Sequence, residues 1–234
     1  MAEVCLHDVG DMMKEDPFSE ILFVLFVAGV LMLAVALVLY YQRLLRKAWF
    51  DAATDLHLSY DYVSYGLPRR LPLVYQLRRG KNRYASNVFS GHYKGFPAHV
   101  FDYHYTTGDK NNKAHHHSSI AMLRHDLEAP EIHVYPPDIH EKVGHMAGID
   151  KIEIQTGDEA FSKVFTVLSA DADFAKSFCA PGMMEYLLRH PGMSVEIGAG
   201  WVATCIQQKL VPDEIQRRMD QLIKILRFFP TQKG

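Results

Sequence analysis

Residues 21–41 read ILFVLFVAGVLMLAVALVLYY, twenty-one consecutive positions without a charged side chain. As a helix this run rises roughly 31 Å, which matches the hydrocarbon core of a bilayer at about 30 Å. It is apolar on every helical face, whereas a helix buried in a soluble core keeps a polar stripe. No basic n-region precedes it, it is long for a signal peptide, and Leu39-Tyr40-Tyr41 is not a small-residue cleavage site. The sequence therefore predicts a retained transmembrane helix over 21–41, whose partner is the lipid bilayer. Tyr40 and Tyr41 fall where an interfacial aromatic belt is expected. Gly29 has no second glycine four residues away, so a G-x-x-x-G helix dimer is not supported.

The flanks set the expected orientation. Arg43, Arg46 and Lys47 follow the span and only Lys14 precedes it. Cytoplasmic ends are enriched in Lys and Arg, so the amino terminus is expected outside and residues 42–234 in the cytoplasm. Residues 1–20 form an acidic extracytoplasmic tail with six carboxylates against Lys14, near −5, which leaves about +3 of the chain's net −2 for everything after it. That is too weak a charge for nucleic acid, which calls for a basic face or stripe. Hydrophobic residues at 48% and charged residues at 22% are ordinary for a folded domain, so neither disorder nor a multi-span protein is indicated. Cys5, Cys179 and Cys205 are far apart and form no C-x-x-C pair, which excludes a disulfide framework and a cysteine zinc site and fits buried thiols in a reducing compartment.

Further along, no Gly or Pro interrupts the chain from the span to about Leu56, so a juxtamembrane helix over 42–58 is expected to continue it. From Ala85 to His125 the pattern turns to period two. Asn87–Tyr93 and Ala98–Thr106, joined across Lys94-Gly95-Phe96-Pro97, then His115–Leu123, predict an antiparallel meander. Extended runs at Glu131–Tyr135 and Phe165–Leu168 follow, with a short helix from Asp138 to Val143 and another starting at Gly157-Asp158-Glu159. Asp171–Phe178 and Gly182–Arg189 read as helices, Met193–Ile197 and Trp201–Ile206 as a hairpin, and Pro212 to Phe229 as a closing amphipathic helix with an apolar stripe of Ile215, Met219, Leu222, Ile223 and Leu226. The fold class is α+β: one N-terminal transmembrane helix, then a cytoplasmic antiparallel-sheet domain with several helices over 59–230.

The pattern Phe161-x-x-x-Phe165-x-Val167-x-x-x-Asp171, then Leu187-Leu188, the hairpin 193–206 and the closing helix, together with the span, Trp49 and Phe101-Asp102-Tyr103-x-Tyr105, resembles a widespread group of uncharacterised bacterial single-pass membrane proteins. The resemblance covers roughly 21–230. It implies a bacterial inner-membrane protein, and it carries no activity.

Of thirteen histidines, ten lie between His92 and His145, a concentration that calls for a metal hypothesis because neutral imidazole is the commonest metal ligand. If the second and third meander strands pair with residue numbers summing to about 220, Asp102, His104 and His116 share one face, with His92 as a further ligand. Phe101, Tyr103, Tyr105, Ala121 and Leu123 then share the other. Consecutive histidines in a strand point to opposite faces, so His115-His116-His117 does not bind one ion as a unit. No H-E-x-x-H, Walker loop, G-x-S-x-G or G-x-G-x-x-G occurs, and no cofactor is implied. A further candidate surface for anionic lipid comprises Arg43, Arg46, Lys47, Arg69, Arg70, Arg78 and Arg79. The sequence favours a non-catalytic interaction or scaffold module at the membrane, with a protein partner it does not specify. The alternatives are a metal- or proton-binding enzyme or sensor on the histidine-rich strands, and a lipid-binding surface.

Overall fold

The computed structural model describes residues 17–71, 80–109, 112–136 and 152–230. The chain divides after Ala48 into two compact units. In the first lies most of helix α1, Pro17–Asp55, whose apolar side chains are exposed around its whole circumference from Phe18 to Tyr41. Among the described residues it is the helix long and apolar enough to cross a membrane, with mean hydropathy 3.2 over its most apolar window and none of that window buried.

In the second unit α1 ends as expected of a chain without helix breakers, closed by His57 in the left-handed region (φ 53°) and by the Leu58 amide donating to the Ala53 carbonyl at 2.9 Å. This is the six-to-one bond of a left-handed C-cap. The elements that follow are β1 (Ser59–Ser64), α2 (Leu67–Arg70), β2 (Lys81–Tyr93), β3 (Phe96–Thr107), β4 (Ala114–Arg124), β5 (Ile132–Tyr135) and β6 (Ile152–Glu153). After them come α3 (Glu159–Val164), β7 (Thr166–Ser169), α4 (Ala172–Phe178), α5 (Pro181–Leu188), β8 (Met193–Gly198), β9 (Trp201–Ile206), a 3-10 turn (Pro212–Glu214) and α6 (Ile215–Leu226). The fold is α+β, and the nine strands among the described residues form one sheet in the order β1-β2-β3-β4-β9-β8-β5-β7-β6. Every adjacent pair is antiparallel.

The caps follow from the sequence. Asp158 and Asp171 each accept the backbone N–H three residues on, at 2.9 Å, and start α3 and α4. Pro181 starts α5, where its missing N–H costs no helical bond. One face of the sheet buries Phe101, Tyr103, Tyr105, Ile120, Met122, Ala203 and Cys205 with Leu67 and Leu71. The last helix, α6, lies against β3, β4 and β9 and buries Ile215, Met219, Leu222 and Ile225. It is pinned where Arg218 Nη2 donates to the Ser119 carbonyl at 3.0 Å and where the Tyr93 hydroxyl donates to Asp220 at 2.7 Å. Trp49 stacks on Tyr60 and packs against Phe89, which fastens the end of α1 to β1 and β2.

Four elements depart from the sequence reading. Strand β1 is an edge strand without a buried residue, three of its six being exposed and three half-buried with no regular alternation, and β6 has two residues, so neither left a periodic signal. Strand β2 begins at Lys81, six residues ahead of the predicted Asn87, because bulges around Asn82 and Asn87, both at positive φ, break its period. The closing helix opens as a 3-10 turn at Pro212 and its α-helical part ends at Leu226, short of Phe229. The expected helix over Asp138–Val143, and Arg78 and Arg79, lie outside the described residues.

Candidate functional site at the histidine-bearing hairpin

Strands β3 and β4 pair with Asp102 opposite Ser119, His104 opposite His117 and Tyr105 opposite His116. This register is one residue away from the one assumed from sequence, and a shift of one residue moves a side chain to the other face. Asp102 and His104 do share a face, but the histidine across the ladder on that face is His117, directly opposite His104. His116 sits on the opposite face, stacked on Tyr105 (ring centroids 4.7 Å) with its Nε2 2.7 Å from Thr107 Oγ1. For the same reason Ile120 and Met122 join Phe101 and Tyr103 in the core, while Ala121 and Leu123 lie on the Asp102 face. His92 is opposite Pro97 beside the β2–β3 turn and exposed, at the far end of the ladder from His104.

Asp102 is buried. Its Oδ1 accepts the Leu210 amide at 2.7 Å and its Oδ2 accepts Asn87 Nδ2 at 3.0 Å, while Asn87 Oδ1 accepts the Tyr60 hydroxyl at 2.9 Å. One carboxylate thus ties the loop after β9 to β2 and, through Asn87, to β1. Burial raises its pKa, opposed by the two N–H donors. His104 is half-buried, clamped flat against Tyr84 with centroids 4.5 Å apart. Its Nε2 lies 2.7 Å from Ser86 Oγ and its Nδ1 lies 2.6 Å from His117 Nδ1. Burial, then His117 and Lys209, hold its pKa down at about 4, so it is neutral at physiological pH. Ser86, Asn87, His117 and Tyr60 were absent from the sequence-level site. The φ of +48° at Asn87, which turns its side chain toward Asp102, comes from a bulge that has no sequence signature beyond the asparagine itself.

Among the described residues no three of His, Cys, Asp and Glu converge as metal ligands. A second polar cluster, not singled out from sequence, lies across β5 and β8. There His133 Nε2 is 2.9 Å from Glu131 Oε1, the Tyr135 hydroxyl is 2.8 Å from His133 Nδ1, and Glu196 approaches the same Nδ1 at 3.6 Å. Cys179 and Cys205 are deep in the core, where burial pushes the Cys179 thiol up to about 12 and Cys205 up to about 11, so both are poor nucleophiles. Arg69 and Arg70 are exposed at the end of α2, and Arg43 and Lys47 belong to the polar end of α1.

A groove of about 490 Å³ runs beside the end of α6, floored by Phe96, Leu127, Ile223 and Leu226 with His125, Asp126 and Arg227 as its polar groups. A neighbouring one of about 590 Å³ shares Asp126, Leu127 and Leu226 and extends past Phe174 and Phe229. Such concave, mostly apolar surfaces suit binding. Neither holds a Ser, Thr, Cys or Lys nucleophile beside a base.

No family model matches the chain, and no curated protein matches it. Among solved structures it is similar to the mycobacterial trehalose monomycolate transport factor A, TtfA, with a TM-score of 0.54 and 16% identity, over 80% of this chain and 96% of that one. At that identity the likeness shows a shared fold.

Proposed function

We propose that this chain is a non-catalytic binding or scaffold module anchored in a bacterial inner membrane by residues 21–41, with its amino terminus outside and residues 42–234 in the cytoplasm. The observation that carries the reading is α1, a helix whose apolar surface is exposed on all sides and finds its solvent in lipid. The polar groups of the hairpin site support a structural rather than a catalytic role, because they are spent on one another: Asp102 on Leu210 and Asn87, His104 on Ser86 and His117. The likeness in fold to a transport factor favours work beside a membrane transport process, through contact with a membrane protein partner. The resemblance of the sequence to a group of bacterial single-pass membrane proteins agrees with this reading. The contact surface we favour is the edge strand β1, which pairs only with β2 among the described residues and exposes Tyr62. An exposed strand edge is a ready template for β-augmentation.

Site-specific photo-crosslinking in growing cells tests this. A photoreactive residue at Tyr62 in the full chain is expected to give a discrete adduct with one membrane protein, lost when Asp61 and Val63 are replaced by proline. No adduct from Tyr62 or from Leu127 beside the groove would refute a scaffold role.

A further inference from the structure

We propose that His104 and His117 are the protein ligands of a binding site for a late first-row divalent metal ion such as zinc. Their Nδ1 atoms, brought from adjacent strands, already converge on one point, 2.6 Å apart with the rings nearly perpendicular. Two nitrogens this close share one proton, with one ring donating and the other accepting. A tetrahedral metal with bonds of about 2.0–2.1 Å holds two nitrogens about 3.4 Å apart. The rings therefore need to part by less than about 1 Å, and His117 is exposed and able to turn. With His117 as the donor, its Nδ1 proton moves to its own Nε2 while His104 keeps its proton on the Nε2 that faces Ser86 Oγ, so two neutral imidazoles enter the site through Nδ1 and no net charge is created on the ligands.

The surroundings have the form of a second shell. A metal-binding histidine bonds through its other nitrogen to a group that fixes its tautomer and ring orientation. Here Ser86 Oγ meets His104 Nε2 at 2.7 Å, and Tyr84 holds the ring plane. Asp102 is engaged by Leu210 and Asn87 and is not a ligand. Lys209 acts on His104 as a nearby positive charge and opposes the ion. His115, exposed and two residues before His117 on the same face, is placed to turn in as a third ligand, with water in the remaining positions. Imidazole donors with open water positions suit zinc, nickel and copper over magnesium or calcium.

The test is isothermal titration of zinc into the full chain in detergent after treatment with a chelator. One equivalent is expected to bind to the unmodified chain. His117→Ala, at an exposed position that leaves the fold intact, is expected to weaken binding by at least about tenfold, and Ser86→Ala by about tenfold through the lost orientation of His104. His116→Ala, on the opposite face of the same strand, is expected to leave binding unchanged. The ring-nitrogen NMR signals of His104 and His117 should shift together on zinc addition. Absence of zinc binding by the unmodified chain, equal loss in His116→Ala and His117→Ala, or undiminished binding in His117→Ala would overturn the proposal.

Discussion

Asp102 carries more of the second unit than any periodicity in its strand suggests, because its two oxygens hold an amide from the loop after β9 and an amide side chain from β2. Replacing it with alanine strands the Leu210 N–H, and a buried donor without a partner costs about 1–3 kcal/mol. Thermal denaturation of the full chain in detergent should show Asp102→Ala melting lower by that margin, whereas Asp61→Ala, at an exposed position, should melt unchanged. His104 gives a pH dependence with a definite sign. Its folded pKa of about 4 lies below the ordinary 6.5, so between these values the unfolded chain binds the proton and the folded one does not. The stability it contributes is complete above pH 6.5 and drains away as pH falls toward 4. His104→Asn should therefore flatten the melting-temperature slope across that window. It should not abolish the slope, because burial also lowers the pKa of His99 and His125. An unchanged slope would show that His104 is not held neutral by its surroundings.

At the scale of elements, the β3–β4 register decides which histidine faces Asp102, and cysteine pairs read it directly. Mild oxidation is expected to crosslink the double variant His104→Cys/His117→Cys, since side chains directly opposite in an antiparallel pair stand about 4.5–5.5 Å apart at Cβ. His104→Cys/His116→Cys should not crosslink, its sulfurs lying on opposite faces. The reverse result would restore the register assumed from sequence. Much of the element order was legible: the long helix from its uncharged run, the meander from alternation, the short helices from Asp158, Asp171 and Pro181, and α6 from its three-and-four spacing. The register was not legible, because six residues separate Thr107 from Ala114 and that length alone does not fix which residues oppose. The site was legible to the same degree. Asp102 and His104 follow from alternation along one strand, but their partners Ser86, Asn87 and His117 depend on bulges and pairing between strands. The edge strand β1 left no mark in the sequence because an edge strand without a buried face needs no apolar alternation.

For the whole molecule, the dominant free energy is the one α1 gains on entering lipid. Burying a Leu, Val or Phe side chain is worth about 1.5–3 kcal/mol, and α1 exposes large apolar residues at most positions from Ile21 to Leu39. Their sum far exceeds the few kcal/mol by which a domain is ordinarily stable, so lipid or an equivalent apolar surround is where this helix is satisfied. Arg43, Arg46 and Lys47 at its far end then bias which side the second unit occupies. Protease added to intact spheroplasts producing the full chain tests anchoring and orientation together. A fragment holding residues 42–234 is expected to survive until detergent opens the membrane. Its digestion while the membrane is intact would contradict a cytoplasmic domain held by a single span.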